Sequence, residues 1–249
     1  MAKKKDKPQA IVTGAGSGIG KATALRFHEA GYSVCCLDIN LGGARETLQE
    51  INNDGIALKL DVTKAHQVKM VCNKLLNSFS QPSVLVNSAG ISPDPQPVHL
   101  YELEEWKRVI DINLNGTFYL MKYLIPSLLL NTPSNIVNIS SVMGVVANPT
   151  TSGYAASKHG VVGLTKAAAL DYAKLGLRVN CIGPGVVETN MSKEILSDRD
   201  TRTMLEDQTP VGRFAQPEEI ADLIYFLCSK SAEFITGSFI PIDGGYSAF

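Results

Sequence analysis

The feature that most constrains this chain is the form of its apolar runs. Residues 10–13, 33–37, 56–60, 84–86, 136–139, 177–182 and 239–242 are short stretches of consecutive, largely apolar residues. A strand with one wet face alternates apolar and polar residues. A near-continuous run implies burial on both faces, as in parallel sheets. Helical spacing occupies 21–30, 42–53, 64–79, 104–131, 154–173 and 217–229. Gly31 and Gly176 follow two of these stretches as stop signals, and Pro217 sits in the first turn of the last. The pattern at 104–131 is interrupted near Asn113 and Gly116. Strand–helix alternation from end to end predicts an α/β protein: one doubly wound parallel sheet, joined by right-handed crossovers and flanked by helices on both faces. No linker or repeat divides it, so 1–249 reads as a single domain, with 1–8 as a mobile basic N-terminus.

Composition removes other classes. With 249 residues, 45% apolar and 19% charged, the chain can bury a core without disulfide or metal staples. Its 23 basic and 24 acidic residues leave a net charge of −1, no field for nucleic acid or an anionic membrane. Residues 3–5 are three lysines, read as part of a solvated terminus. The 5 cysteines are an odd number with no CxxC and no His/Cys spacing that suits zinc. They read as reduced, buried thiols, with the adjacent Cys35 and Cys36 on opposite faces of a strand. No metal site is expected. Lys7-Pro8-Gln9 breaks any signal-peptide pattern, and the most apolar stretch, 119–130, contains Lys122 and Pro126. These features predict a soluble, cytoplasmic protein.

The first strand runs into Thr13-Gly14-Ala15-Gly16-Ser17-Gly18-Ile19-Gly20, and a helix follows. Glycines there let the backbone approach a pyrophosphate, which the helix N-terminus attracts with free N–H groups and its dipole. The position between strand and helix makes this a Rossmann-type signal rather than a mere tight turn. The second strand ends at Asp38, 18 residues beyond Gly20. A carboxylate there accepts from the adenosine ribose hydroxyls and repels a 2′-phosphate. No Arg or Lys lies beside it, Ser17 supplies no cation, and Arg45 reads as part of a solvated helix face. NAD is therefore expected over NADP. Asp61-Val62 follows the third strand. Asp61 has two readings, an acceptor for the adenine amino group or an N-cap-like residue before the next helix.

Tyr154 and Lys158 are spaced i, i+4 on a predicted helix and share a face. An ammonium beside a phenol favours the phenolate, and an oxidised nicotinamide would add positive charge. Ser141 closes Asn138-Ile139-Ser140-Ser141 at the carboxyl edge of a strand, where open α/β sheets bind ligands. It can hold a substrate oxygen while Tyr154 exchanges the proton.

Together with Asn87-Ser88-Ala89-Gly90, Asn113 and Pro184-Gly185, these ordered motifs resemble the short-chain dehydrogenase/reductase family over essentially the whole chain. The likeness is to the 3-oxoacyl-reductase-like branch with an NAD-type acidic residue. Ser88 departs from the Asn usual in the family, with little expected effect. The resemblance implies that Tyr154 is the general acid/base, that Lys158 lowers its pKa and holds the nicotinamide ribose, and that Ser141 orients the reacting oxygen. It implies that Asn113 holds a proton-relaying water. Cofactor contacts are implied for Gly14, Ser17, Gly18, Ile19, Gly20, Asp38, Asp61, Val62, Asn87, Ala89, Gly90, Tyr154, Lys158, Pro184, Gly185, Val187 and Thr189. The protein supplies orientation and proton transfer for a hydride moving between nicotinamide and substrate carbon.

His159, at i+1 from Lys158, points away from that face. Glu188 reads as part of a solvated loop, Trp106 as packing, and His99 as a candidate substrate contact in a proline-rich loop. Substrate choice is expected in 91–100 and 190–212. The second contains Met191, Ile195, Leu196, Met204 and Leu205, a pattern that suits an amphipathic lid and equally a helix pair on the sheet edge. Neither segment has a basic cluster, so a neutral secondary alcohol or ketone leads. One alternative is NADPH-dependent reduction of 3-oxoacyl chains on acyl carrier protein. That acidic carrier needs basic docking residues near the site mouth, where only Lys174 is found. A non-catalytic nucleotide-binding module would not need Asn113, Ser141, Tyr154 and Lys158 together. The resemblance also implies a homotetramer. Ile220, Leu223, Ile224, Phe226 and Leu227 suit an interface or burial within one subunit.

Overall fold

The computed structural model describes residues 7–79 and 81–248. The lysines at 3–5 and most of the expected mobile terminus lie outside the described residues. The chain runs β1 (Gln9–Thr13), α1 (Gly18–Glu29), β2 (Ser33–Asp38), α2 (Leu41–Glu50), β3 (Gly55–Lys59), α3 (Ala65–Ser78) and β4 (Pro82–Asn87). It continues through α4 (Leu103–Ile110), α5 (Gly116–Leu130), β5 (Ser134–Ile139), α6 (Ser152–Tyr172) and β6 (Leu177–Pro184). It ends with α7 (Arg199–Asp207), α8 (Pro217–Cys228) and β7 (Phe239–Ile242).

All the strands join one parallel sheet in the order β3-β2-β1-β4-β5-β6-β7. This is the doubly wound Rossmann arrangement. The order reverses between β1 and β4, which opens a crevice at their carboxyl ends. Register sets Thr13 beside Leu37 and Asn87 beside Asn138. The glycine-rich loop, Asp38, the Asn87–Gly90 loop and Ser141 thus all leave the sheet at one edge.

Continuous apolar strands are possible because each face has its own cover. On one side Ile11, Cys35, Leu85 and Ile136 meet Leu75 of α3, Leu120 and Leu124 of α5 and Ala168 of α6. On the other, Val12, Cys36, Val86 and Val137 meet Ala24 of α1, Ala44 of α2 and Ile220 and Ile224 of α8. Cys35 and Cys36 do face opposite ways. All the cysteines are free and buried. Burial pushes Cys36, Cys72 and Cys228 up to about 12, so these thiols pack as apolar groups.

Three local outcomes differ from the sequence pattern. The second helix stops at Glu50 rather than near 53, because Asn52 and Asn53 take left-handed φ values of 56° and 57°. The interruption near Asn113 is a wider π turn, Asp111–Asn115, through which α4 runs into α5 without leaving helical backbone angles. Between 190 and 212 the chain forms one α-helix, α7, and a short 3-10 turn at Ile195–Ser197, rather than a helix pair. In α8, Ile220, Ile224 and Leu227 are spent inside the subunit, whereas Phe226 is exposed. Among the described residues no helix is long and apolar enough to cross a membrane.

Candidate active site

The loop after β1 is built to bring backbone close to a ligand. Gly14 and Gly18 adopt φ values of 64° and 51°. Gly20 must lack a side chain, since a Cβ there would sit 2.1 Å from the Gly14 carbonyl oxygen. Thr13 ties the two crevice loops together, its Oγ1 accepting from the Ser88 and Ala89 N–H groups at 3.0 and 3.1 Å. Sequence reasoning placed Thr13 in the motif but gave it no role. Ser17 makes no side-chain capping bond to α1, and the first turn of α1 carries no acid. That terminus keeps its dipole and donors for an anion. Thr189 faces it, with Cγ2 3.2 Å from where a Cβ on Gly18 would lie.

Asp38 stands at the end of β2 with both oxygens anchored. Oδ2 accepts from the Gly16 N–H and Oδ1 from the Asn40 N–H, each at 2.8 Å. A carboxylate has about four acceptor positions, so each oxygen retains one. Arg45 is exposed and makes no ion pair with it. Asp61 closes a turn before α3, its Oδ1 accepting from the Thr63 N–H at 3.0 Å and the Thr63 hydroxyl at 2.7 Å. That resembles the capping alternative, although α3 begins later, at Ala65. Val62 is buried, close against Gly116 at the start of α5.

At the other side of the crevice, β5 ends in Ser140 and Ser141, and α6 carries Tyr154 and Lys158. Lys158 is 5% exposed, and its Nζ donates to the Ile139 carbonyl at 3.0 Å. No carboxylate pairs with it among the described ion pairs. Burial pushes its ammonium down to about 8. The Nζ lies 5.5 Å from the centroid of the Tyr154 ring. Burial raises the phenol, and only the Ser141 hydroxyl works against that. The Ser141 Oγ also accepts from the Met143 N–H at 3.2 Å.

Asn113, in the π turn, reaches across to the Asn87–Gly90 loop. Its Oδ1 accepts from the Ile91 N–H at 2.9 Å, and its Nδ2 donates to the Ile91 carbonyl at 3.0 Å and to Ser157 at 3.1 Å. A Cβ on Gly90 would come within 3.3 Å of the Asn113 Oδ1 and 3.5 Å of the Lys158 Nζ. Asn113, Ser141, Tyr154 and Lys158 therefore converge, with Gly90 between Asn113 and Lys158. Behind them, Asn87 donates to Asn138 at 2.8 Å and Asn138 to Thr165 at 2.9 Å, which pins β4, β5 and α6 together. The Asn87 Oδ1 is buried with no partner.

The β6 end carries the remaining expected residues. Pro184 closes the strand, and the Gly185 N–H donates to the Ile242 carbonyl at 3.1 Å. Val187 is buried. Glu188 is not part of a free loop. Its oxygens accept from Arg202 of α7 at 3.1 Å and from Gln216, just before α8, at 2.9 Å. These bonds hold the charge and lower the Glu188 pKa. A cleft of about 590 Å³ runs past Gly18, Thr189, Lys193 and Arg202. His159 and His99 are both exposed, and Trp106 packs edge-on against Tyr101. Arg202 and Gln216 were missed because charge spacing does not show which loop meets which helix.

These residues fit a dinucleotide. An uncapped helix start faces Thr189, an anchored acid ends β2, and a buried ammonium has a carbonyl as its described hydrogen-bond partner.

Comparison with known proteins agrees. A family model described as enoyl-(acyl carrier protein) reductase matches residues 14–247. Cyclohexanol dehydrogenase of Acinetobacter sp. (strain SE19) is 39% identical over 251 residues, covering 100% of this chain and 98% of that protein. A 3-oxoacyl-(acyl-carrier-protein) reductase of Thermotoga maritima is 40% identical over 240 residues, covering 94% and 96%. The crystal structure of a 3-ketoacyl-(acyl-carrier-protein) reductase from Brucella melitensis complexed with NADH superposes with a TM-score of 0.91 at 33% identity, covering 96% of this chain and 98% of that one. With that agreement of sequence and fold, the chain belongs to the short-chain dehydrogenase/reductase family and is an oxidoreductase of that family.

Proposed function

We propose that this protein is an NAD(H)-dependent dehydrogenase that interconverts a neutral secondary alcohol and its ketone. The observation that carries the cofactor choice is Asp38, held by Gly16 and Asn40 at the end of β2. A 2′-phosphate would meet that anchored charge, whereas ribose hydroxyls would donate to it. Gly14, Ser17, Gly18, Ile19 and Gly20 would cradle the diphosphate with Thr189. Asp61, Val62, Asn87, Ala89 and Gly90 would line the adenine and ribose side, and Pro184, Gly185 and Val187 the nicotinamide side. When bound, the nicotinamide accepts or returns a hydride at C4.

The chain handles the proton. Ser141 donates a hydrogen bond to the substrate oxygen. Tyr154 takes the hydroxyl proton of an alcohol, or returns it to a ketone. Lys158 stabilises the phenolate form and donates to ribose hydroxyls. Both ends of the Asn113 side-chain amide are already engaged. We read Asn113 as positioning Ile91 and Ser157 around Lys158 with both Nδ2 hydrogens, while its Oδ1 keeps one acceptor position for the relay water.

The nearest competing reading is NADPH-dependent reduction of the 3-oxo group of an acyl chain on acyl carrier protein, favoured by the Thermotoga maritima relative. Side-by-side fluorescence titration with NADH and NADPH separates the two. Tighter NADH binding, followed by NAD turnover of cyclohexanol, supports the dehydrogenase. Tighter NADPH binding with efficient reduction of a 3-oxoacyl thioester to its 3-hydroxy form overturns it. The 190–212 segment acts as a lid on the same single domain. A homotetramer is the proposed assembly, since Leu103, Trp106, Phe118 and Leu170 on α4–α6 and Phe226 on α8 remain exposed. Sedimentation of the purified protein tests it, and a monomer at micromolar concentration overturns it.

A further inference from the structure

The two loops expected to select the substrate are not the only segments at the reacting end. The turn after β7 reaches it too. Asp243 accepts from the Gly245 N–H at 3.0 Å and the Ser247 N–H at 2.9 Å, while Gly244 and Gly245 take φ values of 62° and 92°. The turn is clamped to the end of the 190–212 segment. The Val211 N–H donates to the Gly244 carbonyl at 3.1 Å, and a Cβ on Gly245 would lie 3.1 Å from Pro210.

From this turn Tyr246 packs against the buried cluster of Val142, Met143 and Ala155, on which Tyr154 and Val146 also pack. That cluster follows Ser141 directly and supports the proposed proton-transfer residue. The far end of the ring is also fixed. The Tyr246 hydroxyl lies 2.8 Å from the Asn148 Nδ2 and 3.0 Å from its Oδ1, so the two side chains exchange a hydrogen bond in either sense. An aromatic ring held at both ends is a rigid wall. Moving it would cost the packing and the bond to Asn148 together.

We propose that Tyr246, braced by Asn148, determines specificity at the substrate pocket. It narrows the space over Val142, Met143 and Ala155, where Tyr154 also packs, and so favours compact secondary alcohols and ketones over long chains. This rests on the dehydrogenase reading and adds to it the substrate's shape and the residue that selects it.

The test compares wild type, Tyr246→Ala and Tyr246→Phe on cyclohexanone and 2-decanone with NADH. Wild type should favour cyclohexanone. Tyr246→Ala should raise KM for cyclohexanone at least tenfold and lower KM for 2-decanone at least tenfold, with NADH affinity within twofold. Tyr246→Phe, which keeps the ring and removes the bond to Asn148, should fall between. It also guards against misfolding, because it conserves the packing. Equal changes on both ketones, or none, would overturn the wall. A wild type inactive on both overturns the dehydrogenase reading instead. The wall is then read by saturation-transfer NMR of the same two ketones on the NADH complexes. The same inversion supports it, and its absence refutes it.

Discussion

Lys158 is the residue on which stability and chemistry pull hardest in opposite directions. Its folded pKa of about 8 lies below the ordinary 10.5. Below pH 8 both folded and unfolded states carry the proton, and the folded state bears the whole desolvation cost. Between pH 8 and 10.5 the unfolded state binds more protons, so stability rises with pH there. The shift corresponds to about 3 kcal/mol. Lys158→Met should therefore abolish turnover yet stabilise the fold below pH 8 by that order, less the lost bond to Ile139. The gain should fade by pH 10.5. Chemical denaturation of both proteins from pH 6 to 10.5 checks the sign, and a less stable variant at pH 7 contradicts it. Tyr154→Phe should lower kcat by about 10²–10⁴ with NADH binding retained, the range for general acid–base groups. Asp38→Asn should weaken NADH and improve NADPH, by roughly 10-fold or more for a charge-assisted bond. Fluorescence titration reads both, and an unchanged ratio removes Asp38 from the ribose site.

At the scale of elements, the 190–212 segment is held to the body by polar side chains. Arg202 of α7 bonds Glu188 and Glu206 and lies 5.2 Å from the Phe214 ring centroid. Arg202→Ala should speed proteolytic cleavage within 190–212 and raise substrate KM more than it changes kcat. Timed digestion with chymotrypsin and steady-state kinetics report the two effects. Unchanged cleavage would mean the clasp does not set the mobility of that segment. The apolar residues of this segment explain why its sequence was ambiguous. Met191, Ile195 and Met204 are exposed and pack no core, so their spacing carried no information about the partner surface. The π turn was legible only as an interruption at Asn113 and Gly116. A wider turn and a broken helix look alike in sequence, because both displace the apolar face by a fraction of a turn. Asp61 was undecided for a related reason. A carboxylate two residues before a threonine can close a turn whether or not a ligand uses its other oxygen.

At the scale of the whole molecule, parallel strands made the fold readable. Each apolar run became a strand of the sheet, the inner strands buried on both faces and β3 and β7 half-buried at the two edges. The motif residues then came together because they sit at carboxyl ends on either side of the point where strand order reverses. The contribution of the C-terminal turn was not readable, since Asp243 to Tyr246 carry no pattern until β7 places them beside β6. Exposed apolar side chains on α4–α6 and α8 predict a larger species than one subunit. The two-sided core also gives the protein internal reporters. Cys35 and Cys72 belong to one side of the sheet, Cys36 and Cys228 to the other. Each thiol is shielded, so alkylation must wait for its own layer to open. Mass spectrometry of a labelling time course can therefore tell which helical layer peels from the sheet first. Matching rates at both pairs would show that the layers separate only together.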